Sequence, residues 1–120
     1  MLVEDDSSLL SALTFALELD GFRVRAYDRG TAAAGDGEAA SADCLVVDLK
    51  LPDVDGLDLV ALLRAKGVTA PAIVITTNPD ERRRREAAGA GVTIVEKPLM
   101  DGELSHHIGL ALARGHDIVR

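Results

Sequence analysis

The sequence is poor in cysteine and in aromatic residues. It has one cysteine, Cys44, and its 120 residues include only two phenylalanines, one tyrosine and no tryptophan. A single cysteine excludes an intramolecular disulfide and a thiolate metal site built within one chain. So few rings also exclude a stacking platform for nucleic-acid bases. The core must therefore be built mainly from Leu, Val, Ile and Ala side chains.

Basic charge and long apolar runs are scarce as well. The formal net charge is -7 at pH 7 and the pI is about 4.8, so binding to nucleic acid or anionic lipid is opposed by like charge. No run approaches the roughly 18 apolar residues that a membrane-spanning helix needs. The chain does not open with a basic region and a long apolar stretch. We predict a cytoplasmic protein with no direct nucleic-acid partner and no membrane partner.

Short apolar runs alternate with segments of helical period along the chain. This alternation is typical of an α/β protein with a parallel sheet, and the length suits a single domain over residues 1–120. Strands are predicted at residues 1–3, 22–26, 44–48, 72–75 and 92–95. Helices are predicted at residues 7–20, 30–40, 57–66, 80–88 and 101–113, the first with Ser7 or Ser8 as its N-cap.

Polar side chains follow or end four of the predicted strands. Glu4-Asp5-Asp6 follows the first strand, Asp48 ends the third, Thr76 follows the fourth and Lys97 comes just after the fifth. The carboxyl ends of parallel strands form the functional edge of such a sheet, so folding should gather these groups. Crowded carboxylates repel one another unless a cation is present, and oxygen ligands favour Mg²⁺. The pattern predicts a magnesium site beside Asp48, which could act as a carboxylate nucleophile toward a phosphoryl group.

Four segments in a fixed order resemble the signature positions of response-regulator receiver domains. They are Val3–Asp6, Val47–Gly56, Ile75–Thr76 and Lys97–Pro98, and their order and spacing span essentially the whole chain. The resemblance implies a single receiver domain over residues 1–120. It also implies a flavodoxin-like (CheY-like) doubly wound fold, with a five-stranded parallel sheet in the order 2-1-3-4-5 and five helices.

The resemblance further implies what this domain does. Asp48 would be the phospho-acceptor, and it would receive the phosphoryl group from a sensor histidine kinase or a phosphotransfer protein. Lys97 would pair with the phosphorylated Asp48, and the Thr76 hydroxyl would move to meet a phosphoryl oxygen. Such a domain is not an enzyme toward other molecules, although it assists its own phosphorylation and dephosphorylation. Its output would pass to a downstream protein target or through a homodimer.

The same resemblance implies a set of Mg²⁺ ligands. Asp5 and Asp48 would bind the ion through their carboxylates, Glu4 would contribute through a water molecule, and Lys50 would provide its backbone carbonyl.

Two departures from the family pattern keep an alternative open. Ile94 stands where the family usually has an aromatic residue, and Thr77 stands where it favours a smaller one. The alternative is an interaction module with a receiver fold that works without phosphorylation. A phosphatase of the haloacid-dehalogenase type is disfavoured, because it needs a second Asp two residues after the nucleophile and Lys50 is there.

Other charged residues are assigned to structural roles. Asp6 is predicted to be a solvated turn residue, and Asp53 and Asp55 are predicted to serve turn and capping functions. The run Arg82–Arg85 is predicted to form a solvated helix face.

Overall fold

The computed structural model describes the backbone of residues 1–118 and the side chains of residues 1–113. Five parallel strands form one sheet in the order β2-β1-β3-β4-β5. They are β1 (Leu2–Val3), β2 (Ala26–Tyr27), β3 (Leu45–Asp48), β4 (Ala72–Thr76) and β5 (Thr93–Glu96). The helices are α1 (Ser7–Leu19), α2 (Gly30–Ala34), α3 (Gly56–Ala65), α4 (Glu81–Gly89) and α5 (Glu103–Ile118). The predicted fold and strand order are confirmed, whereas the predicted domain end at residue 120 lies outside the described residues.

Both faces of the sheet are buried under helices. Successive strand residues point to opposite faces, so Val46 enters one core and Val47 the other. One core joins the strands to α1 and α5, through Leu2, Val46, Ile73, Leu17, Leu104 and Ile108. The other joins them to α2, α3 and α4, through Val3, Val47, Val74, Ala33, Leu59 and Ala87. This double burial explains why β3 is apolar without alternation.

The second strand is shorter than predicted and lies later in the chain. The sequence predicts residues 22–26, but β2 contains only Ala26–Tyr27. A strand needs a neighbour to pair with, and β1 provides two residues, Leu2 paired with Ala26 and Val3 paired with Tyr27. Before that pair, the Leu2 N–H donates to the Arg25 carbonyl at 2.8 Å. The apolar pattern at 22–25 therefore does not become a strand here.

The second helix is also shorter than predicted. It ends at Ala34 instead of near residue 40, and a 3₁₀ helix follows at Ala39–Ser41. Glycine lowers helix stability by about 1 kcal/mol relative to alanine, and both Gly35 and Gly37 fall within the predicted span.

Aspartates accept N–H groups at the start of four helices, and at α4 the residue is Asp80, which accepts the Arg83 N–H at 2.8 Å. Asp6, and not Ser7 or Ser8, is the N-cap of α1 and accepts the Leu9 N–H at 3.1 Å; it is exposed as predicted, but it has a capping role that was not predicted. Asp55 is the N-cap of α3, which confirms its predicted capping role. Asp53 reaches across the chain to α2, where its two oxygens accept the N–H groups of Gly30 at 3.0 Å and Thr31 at 2.8 Å.

The arginine run on α4 is only partly a solvated face. Arg82 has 73% of its side chain exposed, in agreement with the prediction. Arg83 has only 16% exposed and forms an ion pair with Asp55, so for this residue the prediction is wrong. The sequence run contains no signal for a partner 28 residues away.

None of the helices in the described part of the chain is both long enough and apolar enough to cross a bilayer.

Candidate functional site

Parallel register gathers the polar strand ends at one edge of the sheet. Val3 pairs with Val47, which places Glu4 beside Asp48. Thr76 pairs with Glu96, and the Lys97 N–H then donates to the Thr76 carbonyl at 2.8 Å. The sequence prediction that folding would bring these groups together is confirmed.

Asp48 lies at the centre of this edge. It is the last residue of β3 and is only 5% exposed. Its Oδ2 accepts the Lys97 ammonium at 3.1 Å, and its Oδ1 accepts the Lys50 backbone N–H at 3.2 Å. A lysine and a backbone amide thus fix the orientation of a buried carboxylate that borders the open end of the sheet.

Glu4 is a second buried carboxylate at the same place. It is fully buried; its Oε1 accepts the Lys97 ammonium at 3.2 Å, whereas its Oε2 has no hydrogen-bond partner among the described residues. Burial and then the neighbouring Asp48 raise the pKa of Glu4 to about 8, and Lys97 opposes this change. Because burial beside Asp48 disfavours the ionised form of Glu4, a bound cation would favour that form by supplying positive charge.

The two neighbouring carboxylates also affect the pKa of Lys97. Burial by itself lowers the pKa of its ammonium, but hydrogen bonds and charge from Asp48 and Glu4 outweigh burial, so its pKa is raised. Lys97 is therefore held in its charged form between the two acids. The peptide bond from Lys97 to Pro98 is cis.

Three carboxylates at the sheet edge are close enough to share one metal ion. One oxygen each from Glu4, Asp5 and Asp48 lie within 4.8 Å of one another, and Asp5 is the exposed member of the set. An oxygen-only donor set with a solvent-exposed side suits Mg²⁺, which keeps several of its waters.

The loop after Asp48 runs beside these carboxylates. Lys50 and Asp55 form an isolated antiparallel bridge, closed by the Gly56 N–H, which donates to the Leu49 carbonyl at 2.8 Å. That bond uses the carbonyl of Leu49 and not the carbonyl of Lys50, the predicted metal ligand.

Thr76 is buried at the end of β4, 2% exposed. Its hydroxyl donates to the Thr77 carbonyl at 3.5 Å. The structure thus places Thr76 at the predicted edge but with its hydroxyl directed to its own neighbour.

Two residues that matter for this edge were missed by sequence reasoning. Gly56 packs so closely under Asp48 that a Cβ atom there would lie 2.4 Å from the Asp48 carbonyl oxygen. Gly56 ends the signature segment Val47–Gly56, but the sequence predicts no packing contact for Gly56 itself. Arg83 contacts Asp55 in the loop after Asp48, and it was assigned to the solvated face.

Comparison with known sequences points to one family. A family-wide sequence model, described as response regulator receiver domain, matches residues 1–109. The sensory transduction protein RegX3 of Mycobacterium tuberculosis is 34% identical over 118 residues, which are 98% of this chain and 52% of RegX3. The cell cycle transcriptional regulator CtrA of Caulobacter vibrioides is 27% identical over 121 residues, covering 100% of this chain and 49% of CtrA. The chain spans about half the length of these curated relatives.

Comparison with solved structures also finds a response regulator receiver domain. A response regulator receiver domain protein from Clostridium thermocellum aligns with a TM-score of 0.86 at 24% identity, covering 98% of this chain and 95% of the other. The crystal structure of FixJ-N aligns with a TM-score of 0.80 at 30% identity, covering 93% of this chain and 90% of the other. The similarity to the Clostridium thermocellum protein supports the fold, and the similarity to FixJ-N extends to the sequence.

Proposed function

This chain belongs to the family of response regulator receiver domains, and from that premise we propose that it is a phospho-acceptor switch with Asp48 as the acceptor. The phosphoryl donor in this proposal is a sensor histidine kinase or a phosphotransfer protein. The observation that carries the proposal is the setting of Asp48. Its carboxylate is held between the Lys97 ammonium and the Lys50 N–H, and it borders two further carboxylates at the open end of a parallel sheet.

The transfer step needs little chemistry from the protein beyond positioning and charge. A carboxylate oxygen of Asp48 attacks phosphorus and forms the new P–O bond, while the P–N bond to the donor histidine breaks and its electron pair returns to the imidazole ring. Lys97 already contacts Asp48 Oδ2 at 3.1 Å, so its positive charge lies where negative charge accumulates.

The carboxylates of this chain fit a bound Mg²⁺. Glu4 has a fully buried oxygen without a partner, and it lies beside Asp5 and Asp48 in one cluster of acids. Asp5 and Asp48 would hold the ion directly, with the Lys50 carbonyl, and Glu4 would act through water. When bound, Mg²⁺ supplies positive charge that offsets the charge of the acids and of the phosphoryl group.

Thr76 connects the acceptor to a change in shape. In the unphosphorylated protein its hydroxyl donates to the Thr77 carbonyl at the long distance of 3.5 Å. A phosphoryl group on Asp48 adds charge and three strong acceptor oxygens, which attract that hydroxyl and shift the end of β4. The resulting surface would be recognised by a downstream protein or by a second copy of the chain.

The proposal is tested by intact-mass spectrometry after incubation with phosphoramidate. Wild type should gain one phosphoryl group when Mg²⁺ is present, and much less when it is chelated. Asp48→Ala should gain none, whereas the control Asp43→Ala, a change at an exposed position, should behave as wild type. A folded wild-type protein that binds Mg²⁺ but gains no phosphoryl group would favour the phosphorylation-independent interaction module.

A further inference from the structure

We propose that Arg83 is a positioning residue for the Asp48 site, which it serves by holding Asp55 and the loop between Asp48 and α3. This inference rests on the proposed function, because it concerns the same site. Arg83 is the least exposed of the three arginines of its run that form ion pairs, at 16% against 73% for Arg82 and 51% for Arg84. Its guanidinium contacts Asp55 through Nη2 and donates to Glu86 through Nη1 at 3.0 Å.

Asp55 connects this guanidinium to two other elements. Its Oδ2 accepts Arg83, while its Oδ1 accepts the Leu57 N–H at 2.9 Å as the N-cap of α3. Its backbone forms the bridge with Lys50. The two oxygens of one carboxylate thus have separate tasks, so the ion pair can be removed without removing the cap.

Lys50 completes the connection to the acceptor. Its backbone N–H donates to Asp48 Oδ1 at 3.2 Å, and its carbonyl is the backbone group proposed for Mg²⁺. A continuous chain of contacts therefore runs from Arg83 on α4 through Asp55 and Lys50 to Asp48. Groups that do not bind the metal themselves but orient its ligands affect metal affinity strongly.

The ion pair between Arg83 and Asp55 is less exposed to solvent than an ordinary surface pair. Exposed pairs contribute little because solvent screens them and the side chains lose entropy. Arg83 is largely covered, and its planar guanidinium presents one nitrogen to Asp55 and another to Glu86. Glu86 lies on the same helix and holds the guanidinium in place from the other side. Arg83 is thus held by two carboxylates, one on its own helix and one in the loop after Asp48.

The experiment compares Arg83→Ala and Asp55→Asn with the exposed control Arg85→Ala, because Arg82 also pairs with Glu86. Asparagine is as good an N-cap as aspartate, so Asp55→Asn keeps the cap of α3 and removes the charge that Arg83 needs. Amide hydrogen exchange is measured at Lys50 and Gly56, whose N–H groups bond to Asp48 Oδ1 and the Leu49 carbonyl. The Mg²⁺ concentration that half-saturates phosphoramidate labelling is measured in parallel.

We expect both site variants to speed exchange at Gly56 and to raise the half-saturating Mg²⁺ concentration by about tenfold, the lower end of the range for groups that orient a metal ligand. Arg83→Lys should recover part of the loss because it restores the charge. The double variant should be no worse than either single one, since both remove the same contact. A variant that merely loosened the fold would show neither the rescue nor this lack of additivity. If Arg83→Ala does not fold, Asp55→Asn and Arg83→Lys provide the same comparison.

The inference is overturned if Arg83→Ala and Asp55→Asn match Arg85→Ala in both measurements. Failure of the proposed function looks different. Wild type would then take no phosphoryl group, while faster exchange at Gly56 in the two site variants would still establish that Arg83 holds the loop.

Discussion

At the scale of single residues, the site depends on groups whose role is set by what they touch. Asp48, Glu4 and Lys97 could be selected from the sequence because each follows or ends a strand, and the ends of parallel strands meet. The contacts of Gly56 and Arg83 could not be predicted in this way. The close approach of Gly56 to Asp48 and the pairing of Arg83 with Asp55 exist only once distant segments are packed together.

Gly56 gives a prediction at this scale. A Cβ atom there would lie 2.4 Å from the Asp48 carbonyl oxygen and 2.8 Å from the Leu49 Cα, and neither backbone atom can turn away as a side chain could. Gly56→Ala should therefore lower the free energy of unfolding by about 1–3 kcal/mol, as overpacking does. Urea unfolding followed by circular dichroism measures this change.

The matched control is the same substitution at Gly89, the last residue of α4, where a Cβ atom would meet nothing within 4 Å. Gly89→Ala should be neutral or stabilise by up to about 1 kcal/mol. Equal effects of the two alanines would show that the contact under Asp48 is not the cause.

At the scale of elements, the sequence predicted the types and order of the strands and helices but not all of their bounds. The pattern at β3 and β4 was clear because both strands are central and apolar. At β2 the bounds depend on the length of β1, which offers two residues for pairing. At α2 the start depends on Asp53, which comes 23 residues after Gly30, so no local pattern could reveal its cap.

Asp53 gives a prediction about pH. The N–H groups of Thr31 and then Gly30 bond to its carboxylate and lower its pKa from 3.8 to about 2. Because the pKa is lower in the folded protein, this contribution to stability is complete above about pH 3.8 and is lost as the pH falls toward 2. Asp53→Ala should melt at a lower temperature than wild type at pH 7, and the gap should narrow over that acid range.

The control for this experiment is Asp43→Ala, a change at another exposed aspartate. Its melting temperature should follow that of wild type across the same range. The contrary result is a difference in melting temperature between wild type and Asp53→Ala that stays constant down to pH 2. That result would mean that the ionised form of Asp53 does not hold the start of α2.

At the scale of the whole molecule, the fold places the candidate site at one edge of the sheet. Helices on both faces leave the carboxyl edge of the sheet open, and that edge collects three carboxylates and one lysine. The curated relatives are about twice as long as this chain, so their complete activities extend beyond the part that is shared. In the proposed function, this chain provides the acceptor carboxylate of Asp48 and the residues that position it.

The most direct test of the account is to locate the phosphoryl group. The protein is incubated with phosphoramidate and Mg²⁺, and borohydride then reduces any aspartyl phosphate to homoserine, which peptide mass spectrometry assigns to a position. The account predicts homoserine at position 48 in the phosphorylated sample and none in a sample without phosphoramidate. Reduction at another carboxylate, or a phosphoryl group retained on His106 or His107, would contradict it.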